Sequence, residues 1–270
     1  MELITHQPCR DTEAVLTGYL HLPISEMSPH RANYPVVIIC PGGGYEVVSE
    51  READPVALRY FAAGYQTFIL RYSTNEQAQN FNPLRELSES IAWIRREAKP
   101  LHAAPNQIAL CGFSAGGHLA ASAGTLWNHP DFYAAAKDYG GENRPDAMIL
   151  SYPVITAGPK AHVSSIKTVS GGEPGSPAYA FFSLEQHVGP HTPPTFLWHT
   201  VTDKSVPVEN SFAMMTALQA CEIPYEAHLF PAGDHGLSVC TQEVGVHDSY
   251  NGCWMDLSIT WLNRLFSYSL

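Results

Sequence analysis

Short runs of apolar residues alternate along this chain with stretches whose apolar residues recur every three or four positions. Residues 36–40 are apolar at every position, which is typical of a strand covered on both faces. In residues 82–98 the apolar positions instead follow the period of an amphipathic helix. Strands that alternate with helices in this way predict an α/β fold, a mostly parallel central sheet with helices on both faces.

Six apolar runs predict parallel strands, and one alternating run, residues 15–22, predicts an antiparallel strand at an edge of the sheet. The predicted parallel strands are residues 36–40, 66–72, 107–112, 147–152, 195–200 and 225–230. Asp54 and Asn82 are predicted helix N-caps, because a proline follows each of them. Further helices are predicted at residues 116–127, 207–220 and 255–266.

The length and the charge of the chain limit its organisation and its partners. Folds of the α/β class commonly form one domain at this size, so the 270 residues are predicted to be a single domain, 1–270. The chain has 15 Lys and Arg against 26 Asp and Glu, a net charge of −11. This balance argues against nucleic acid and anionic membranes, which require a basic face. Nothing in the sequence sets an oligomeric state.

The start of the sequence and its cysteines indicate the cytoplasm. Residues 1–16 have neither the basic nor the apolar region of a signal peptide. The longest apolar run, 36–40, is far too short to cross a bilayer. No two of the six cysteines form a CxxC pair, and we expect free, buried thiols in a reducing compartment. The predicted location is therefore cytoplasmic.

One stretch, residues 155–190, interrupts the alternation of strands and helices. It has no sustained period, it is rich in Gly, Pro, Ser and His, and it lies between two predicted strands. Long irregular segments of this kind are usually lids or binding loops. We therefore expect a lid-like irregular segment there.

The most specific motif is Gly112-Phe113-Ser114-Ala115-Gly116, a G-x-S-x-G pattern between a predicted strand and a predicted helix. Such a strand-to-helix turn exposes the serine hydroxyl, and it needs both glycines because any side chain would crowd the turn. The helix that follows directs backbone amides and a partial positive charge toward the serine. Ser114 is therefore the candidate nucleophile, against the alternative of a chance match in a glycine-rich loop.

Three consecutive glycines, Gly42-Gly43-Gly44, follow the strand predicted at the start of the parallel sheet. A glycine turn leaves backbone amides bare, and bare amides can donate hydrogen bonds to a developing oxyanion. The candidate donors are the amides of Gly43, Gly44 and Ala115. Pro41 stands where many loops of this type have a histidine, which leaves open what stabilises the loop.

Two polar residues follow the last two predicted strands. Asp203 and His235 each come just after a strand end, where parallel sheets gather ligand-binding and catalytic groups. The chain order Ser, Asp, His matches that of one class of serine hydrolases. Asp203 and His235 are therefore the candidate acid and base, with Asp234 and Glu209 as rival acids.

The other histidines carry weaker predictions. His118, His199 and His228 are expected to have structural or packing roles. His187 could bind substrate from the irregular segment, and Tyr45, beside the glycine loop, could line an acyl pocket; ordinary surface or packing roles are the alternatives. The sequence has no HExxH motif and no Cys/His cluster, so no metal and no other cofactor is predicted.

Together these pieces resemble the α/β-hydrolase superfamily, and more narrowly its carbohydrate acetylesterase branch, often labelled acetylxylan-esterase-like or feruloyl-esterase-like. The resemblance is carried by residues 40–45, 51–52, 70–72, 112–118, 193–196, 199–200, 203, 206–207 and 235–237. It implies a mostly parallel sheet and a triad of Ser114, Asp203 and His235. By themselves, Arg51 and Glu52 predict only an ordinary charge pair at a helix end.

Three functions compete on this basis. The first is a serine esterase that removes short acyl groups, with acetyl expected, from carbohydrate esters through an acyl-enzyme. The second is a serine peptidase or amidase of the same superfamily, and the third is a catalytically silent binding protein on the same fold. The expected partner is a small-molecule or oligosaccharide ester, with no nucleic acid and no membrane.

Overall fold

One eight-stranded sheet forms the centre of the protein. The computed structural model describes residues 1–24, 26 and 33–268. In chain order the strands are β1 (Glu2–His6), β2 (Val15–Leu20), β3 (Tyr34–Cys40), β4 (Gln66–Arg71), β5 (Ala103–Phe113), β6 (Ala147–Ser151), β7 (Thr195–Thr200) and β8 (Tyr225–Phe230). Their order across the sheet is β1-β2-β4-β3-β5-β6-β7-β8.

The sheet is parallel from β4 to β8 and antiparallel only where β2 pairs with β1 and with β4. The predicted mostly parallel sheet is therefore confirmed. The predicted edge strand is wrong, because β2 lies inside the sheet and β1 covers its outer side, with Glu2 opposite Leu20. β1 is short and largely exposed, so its sequence has no apolar run that would mark it as a strand.

Helices fill the connections between the strands. The α-helices are α1 (Asp54–Ala62), α2 (Asn82–Arg96), α3 (Ala115–Leu126), α4 (Pro130–Ala135), α5 (Val163–Ser170), α6 (Pro177–Phe181), α7 (Glu209–Ala220), α8 (Ser249–Gly252) and α9 (Trp254–Leu265). The 3₁₀ helices are Glu50–Glu52, Asn75–Ala78, Leu184–His187 and Gln242–Val244. Asp54 and Asn82 are the first residues of α1 and α2 rather than their N-caps, a difference of one residue from the prediction.

Apolar residues are buried on both faces of the sheet. Along β3, Val36 and Ile38 face one core, whereas Val37 and Ile39 face the other. Side chains of α2, α3 and α7 belong to the first core, and side chains of α1 and α9 to the second. Both faces are thus covered, as predicted, and polar groups can meet at the carboxyl ends of the parallel strands.

Residues 155–190 are more regular than the sequence indicates. This segment between β6 and β7 contains α5, α6 and the 3₁₀ helix Leu184–His187. The longest of them spans eight residues, which is too short for an apolar period to stand out in a sequence. The segment is therefore regular in part, while its lid-like role and the single-domain assignment stay predictions.

The six cysteines are free thiols, but they are not all buried. Cys9, Cys40, Cys111 and Cys240 are buried as expected, whereas Cys253 is exposed between α8 and α9. Among the described helices, none combines the length and the apolar character needed to span a bilayer.

Candidate active site

Ser114 lies in the sharp turn between β5 and α3. Its backbone adopts φ 53° and ψ −117°, a strained conformation for a residue that carries a side chain. A Cβ at Gly112 would lie 2.2 Å from the carbonyl oxygen of Gly116, and a Cβ at Gly116 would lie 2.0 Å from that of Cys40. Both motif glycines are therefore required, because the turn packs directly against its own backbone and the end of β3.

The structure brings the three predicted residues of the triad together in one chain of hydrogen bonds. His235 Nδ1 lies 2.6 Å from Asp203 Oδ2, and His235 Nε2 lies 2.8 Å from Ser114 Oγ. Because Nδ1–H donates to the carboxylate, Nε2 accepts the hydroxyl proton of Ser114. The three residues follow β5, β7 and β8, so the parallel sheet itself aligns them.

Asp203 is enclosed and held in its charged form. Its side chain is 0% exposed, and the backbone amides of Ser205 and Val206 both donate to Oδ1 at 2.9 Å. Burial acts to raise the pKa of Asp203. Hydrogen bonds from His199 and His235, the positive charge of His235 when it is protonated, and the Val206 amide outweigh burial and hold the pKa well below its usual range. The carboxylate is therefore charged and able to orient His235.

His199, in β7, has more than the predicted packing role. Its Nε2 lies 3.0 Å from the Val206 carbonyl oxygen, to which it donates, and 3.3 Å from Asp203 Oδ2. The Ser211 hydroxyl lies 2.8 Å from its Nδ1. The buried ring thus supports the carboxylate that His235 contacts. In the sequence, the sign of this supporting role was the position of His199 near the carboxyl end of a strand, four residues before Asp203.

The glycine loop turns beside Ser114. A Cβ at Gly42 would lie 3.0 Å from the Cβ of Ser114. Gly43 and Gly44 adopt φ values of 122° and 69°, in the region that favours glycine. A Cβ at Gly43 would also lie 2.1 Å from the carbonyl oxygen of Val47. The chain can therefore fold back next to the serine only because these positions have no side chain.

Three backbone amides beside the turn have no partner in the described part of the chain. They belong to Gly43, Gly44 and Ala115, whereas the Gly42 amide donates to Glu52. Ala115 is the first residue of α3, so the positive end of the helix dipole lies at the same place. These amides are the predicted oxyanion donors, and that role stays a prediction.

Tyr72 anchors the glycine loop through Pro41, the residue that stands where related loops have a histidine. The hydroxyl of Tyr72 donates to the carbonyl oxygen of Pro41 at 2.6 Å. Tyr72 is buried and follows β4 directly, so it connects the glycine loop to the neighbouring strand. This bond accounts for the stability of a loop that begins with proline.

Tyr45 and His118 connect the glycine loop to the 155–190 segment. The Tyr45 hydroxyl donates to His118 Nδ1 at 2.9 Å, and His118 Nε2–H donates to the carbonyl oxygen of Phe182 at 3.0 Å. Burial lowers the pKa of His118 to about 4, so the ring is neutral at pH 7. These contacts agree with the structural role expected for His118. The Tyr45 hydroxyl is occupied, and its lining of an acyl pocket stays a prediction.

His187 lies within the 155–190 segment, at the end of a 3₁₀ helix. Its Nε2 donates to the carbonyl oxygen of Phe181 at 2.7 Å, and its ring centroid lies 5.5 Å from that of His129. The described contacts of His187 include none with Ser114 or His235. Its role in substrate binding therefore stays a prediction that no contact supports.

The rival acids do not take the place of Asp203. Glu209 begins α7 and forms a surface ion pair with Lys160 at 2.7 Å. Asp203, and not the neighbouring Asp234, bonds to His235. Across the residues that the structure describes, no group of three or more His, Cys, Asp and Glu side chains is arranged to hold a metal ion.

Glu52 and Tyr152 lie beside the triad, although neither was predicted as a site residue. The charge-pair interpretation of Arg51 and Glu52 is wrong, because Glu52 is buried and Arg51 is exposed. The Tyr152 hydroxyl donates to Glu52 Oε1 at 2.7 Å, and the Tyr152 ring lies edge-on to His235 with centroids 5.0 Å apart. The signal for Glu52 was its place among the residues that carry the family resemblance.

Sequence comparison finds relatives named as a xylanase and an acetylxylan esterase. The chain is 35% identical over 215 residues to the endo-1,4-beta-xylanase B of Butyrivibrio fibrisolvens, which covers 77% of this chain and 33% of that protein. It is 26% identical over 219 residues to the acetylxylan esterase of Xylanibacter ruminicola, which covers 79% of this chain and 43% of that protein. The chain thus spans less than half the length of these relatives.

Structure comparison and family matching agree on the class of protein. The acetyl ester-xyloside bifunctional hydrolase from Caldicellulosiruptor lactoaceticus is similar with a TM-score of 0.81 and 33% identity, covering 98% of this chain and 92% of that one. The solved structures similar to this chain are α/β-hydrolases, as the sheet described above also indicates. The family described as BD-FAE matches residues 22–218. The chain therefore belongs to the BD-FAE family and has the α/β-hydrolase fold.

Proposed function

We propose that this protein is a carboxylic ester hydrolase in which Ser114 is the nucleophile, His235 the base and Asp203 the group that orients the base. The observation that carries the proposal is the pair of hydrogen bonds at His235, 2.8 Å to Ser114 Oγ and 2.6 Å to Asp203 Oδ2. A nucleophile, a base and an orienting acid at such distances can activate a serine at neutral pH. Relatives named as esterases support the same chemistry.

In the first half of the reaction, Ser114 Oγ attacks the ester carbonyl carbon while His235 Nε2 takes the hydroxyl proton. The imidazolium that forms is stabilised by Asp203 at Nδ1. The carbonyl oxygen becomes negatively charged, and its hydrogen-bond donors are the amides of Gly43, Gly44 and Ala115. The bond to the alcohol then breaks, and the alcohol oxygen takes the proton from His235 Nε2, which leaves an acyl group on Ser114.

In the second half, a water molecule replaces the alcohol. His235 Nε2 takes a proton from the water, whose oxygen attacks the acyl carbon. The same amides stabilise the second tetrahedral intermediate. His235 returns its proton to Ser114 Oγ as the carboxylic acid leaves. The residues of the chain account for every proton, so no cofactor enters the scheme.

The proposed substrates are carbohydrate esters with a short acyl group, first of all acetyl. The names of two relatives, an acetylxylan esterase and an acetyl ester-xyloside bifunctional hydrolase, support this class. The surroundings of the glycine loop are also polar. A Cβ at Gly44 would lie 3.9 Å from Ser165 Oγ, which hydrogen-bonds to His162 Nδ1 at 2.8 Å. Ser165 is buried and bonded to His162, so these polar groups would not favour a long acyl chain beside the loop.

The proposal can be tested by trapping the acyl-enzyme. We expect the purified protein to hydrolyse p-nitrophenyl acetate and to release acetate from acetylated xylo-oligosaccharides. Rapid acid quenching followed by mass spectrometry of peptides should find the acetyl group on Ser114. Ser114→Ala should lose both the activity and the label. Ser90→Ala, which removes another buried serine hydroxyl, one that bonds to the Glu86 carbonyl oxygen within α2, should keep both.

The competing functions give different results in the same assay. A serine peptidase or amidase would cleave aminoacyl p-nitroanilides faster than any of the esters. A catalytically silent binding protein would hydrolyse neither class above the rate of Ser114→Ala. Either outcome would overturn the esterase proposal.

A further inference from the structure

Glu52 is a buried carboxylate directly behind the glycine loop. It is 3% exposed and is the last residue of the 3₁₀ helix Glu50–Glu52. Its Oε2 accepts a hydrogen bond of 2.7 Å from the amide of Gly42, which immediately precedes the proposed oxyanion donors. A Cβ at Gly42 would lie only 2.7 Å from the same oxygen. The carboxylate is therefore in close contact with the backbone of the loop.

The other carboxylate oxygen is connected through Tyr152 to the loop that carries His235, here called the histidine loop. The Tyr152 hydroxyl donates to Glu52 Oε1 at 2.7 Å and accepts a bond of 2.9 Å from the amide of Ser238. Tyr152 also lies edge-on against the ring of His235. The Ser238 hydroxyl donates to the carbonyl oxygen of Arg51 at 2.5 Å, so the histidine loop is also bonded to the residue that precedes Glu52. One side chain thus joins the glycine loop to the histidine loop.

A carboxylate suits this position because it faces two donors. A glutamine could keep the bond from the Gly42 amide only by turning its NH₂ group toward Tyr152, and the Tyr152 hydroxyl hydrogen would then lose its acceptor. Burial raises the pKa of Glu52 and outweighs the bonds from Tyr152 and Gly42, which act in the opposite direction. A positive charge on His235 also favours the charged form of Glu52, as it would during the reaction.

We propose that Glu52 is a positioning residue for ester hydrolysis, which holds the glycine loop and the histidine loop at the separation that the tetrahedral intermediate requires. It acts through Gly42 and Tyr152, and the inference rests on the proposed function of Ser114. The amides of the glycine loop must reach the oxyanion while His235 reaches the serine hydroxyl. A small change in the separation of the two loops therefore reduces the stabilisation of the transition state more than it reduces substrate binding.

The test is Glu52→Gln, assayed with p-nitrophenyl acetate. We expect kcat to fall roughly 10- to 100-fold while KM changes by less than about twofold. Rates are divided by the number of reactive sites, counted by complete labelling of Ser114 with a fluorophosphonate, so that unfolded protein does not contribute. Tyr152→Phe keeps the ring against His235 but cuts the bond to Glu52, and it should lower kcat by a smaller factor.

The two substitutions should not be additive. Since both interrupt one connection, the double variant should be no more than about twofold slower than Glu52→Gln alone. Independent losses that multiply in full would contradict a single connection between the loops.

Glu86→Gln is the matched control. Glu86 is also fully buried, and its carboxylate accepts hydrogen bonds from the amide and the hydroxyl of Ser73. The substitution removes a buried carboxylate of the same kind that has no contact with Gly42 or Ser238. We expect kcat per labelled site to equal that of the wild type, even if the variant is less stable.

The outcomes separate this inference from the proposed function. An unchanged kcat per site in Glu52→Gln would overturn the positioning role and leave the esterase proposal standing. A wild-type protein without esterase activity, or an active Ser114→Ala, would overturn the proposed function instead. If Glu52→Gln does not fold, Tyr152→Phe decides: a lower kcat at constant KM supports the inference, and an unchanged kcat overturns it.

Discussion

At the scale of single residues, the environment of the Ser114 hydroxyl is set by backbone strain and by hydrogen bonding together. The turn holds the residue at φ 53°, and His235 holds its Oγ at 2.8 Å. His235 is itself held by Asp203, which stays charged because amides and histidines surround it. A set of residues arranged in this way acts as a unit, so the loss of one member is expected to remove most of its effect.

We expect Ser114→Ala and His235→Ala each to lower kcat by roughly four to six orders of magnitude, and Asp203→Asn to lower it by about four. The double variant Ser114→Ala/His235→Ala should be barely slower than either single variant. The measurement is kcat for a p-nitrophenyl ester, with circular dichroism as the control for folding. Retained activity in His235→Ala, together with its loss in a variant of another histidine, would contradict the assignment.

A second prediction at this scale concerns the stability of the protein against pH. His118 has a pKa of about 4 in the folded protein, whereas a histidine in an unfolded chain has a pKa of about 6.5. The unfolded state therefore binds the proton first, and this contribution to stability is complete above pH ~6.5 and is lost as the pH falls toward the folded value. The loss should reach roughly 2 kcal/mol at about pH 5.

His118→Gln isolates this effect. Glutamine can still donate to the Phe182 carbonyl and accept from the Tyr45 hydroxyl, but it does not titrate. Denaturant unfolding of both proteins at neutral pH and at about pH 5 gives the change in the free energy of unfolding. The wild type should lose more stability than His118→Gln over this interval. Equal losses would mean that His118 is not the titrating group.

The sequence predicted three residues of the site because each follows a strand in a recognisable pattern. The structure brings Ser114, Asp203 and His235 together. Glu52 could not be predicted in the same way. Its partners are the Gly42 amide and the Tyr152 hydroxyl, and only the folded chain shows that they converge. A glutamate beside an arginine looks like a surface pair until its burial is known.

At the scale of secondary structure elements, the start of α3 is pressed against the end of β3. We expect Gly116→Ala to destabilise the protein by about 2–3 kcal/mol and to lower kcat at least ~100-fold, because its Cβ would meet backbone oxygens and displace the turn of Ser114. These oxygens belong to Cys40 and Pro41, at 2.0 and 2.3 Å from the added Cβ. Denaturant unfolding and ester hydrolysis are the two measurements.

Gly124→Ala in the same helix is the control for Gly116→Ala. Its Cβ would lie 2.2 Å from the Sδ atom of Met148, the far end of a flexible side chain that can move away. Alanine is also the better helix former, so the free energy of unfolding should change by less than about 1 kcal/mol. If both variants are destabilised equally, the backbone contact of Gly116 is not the cause.

The elements that could be predicted from the sequence are more buried or longer than those that could not. Strands β3 to β8 and helices α1, α2, α3, α7 and α9 carry apolar patterns, and these were predicted to within a few residues. β1 is largely exposed, and α5 and α6 are short, so neither an apolar run nor a period marks them. Tertiary contacts, rather than local sequence, determine such elements.

At the scale of the whole molecule, the strand order brings loops from distant parts of the sequence together at the carboxyl ends of the parallel strands. The glycine loop follows β3, Ser114 follows β5, and Asp203 and His235 follow β7 and β8. The 155–190 segment, between β6 and β7, reaches the same end of the sheet. The carbonyl oxygen of Phe182 accepts a hydrogen bond from His118 behind the serine turn, and Ser165 lies beside Gly44. This segment is thus in a position to influence which acyl group and which alcohol the site accepts.

The last prediction concerns the acyl chain. We expect kcat/KM to be highest for acetyl esters and to fall for butyryl and octanoyl esters. A longer acyl chain would gain roughly 0.8 kcal/mol per buried CH₂ only in an apolar channel. The group of the segment that lies beside Gly44 is instead polar, the Ser165 hydroxyl, which is bonded to the His162 imidazole. A series of p-nitrophenyl esters from acetyl to octanoyl gives the profile.

A profile that rises steadily toward octanoyl would contradict this prediction and would identify a different acyl site. A candidate for it among the described residues is a mostly apolar groove lined in part by Phe81, Phe181 and Phe182. Phe181→Ala distinguishes the two cases. If the groove binds the acyl chain, this substitution should lower kcat/KM for octanoyl esters and leave acetyl esters unaffected. If acetyl is the preferred group, Phe181→Ala should leave the order of the esters unchanged, because the acetyl group ends beside Ser114 and does not reach the groove.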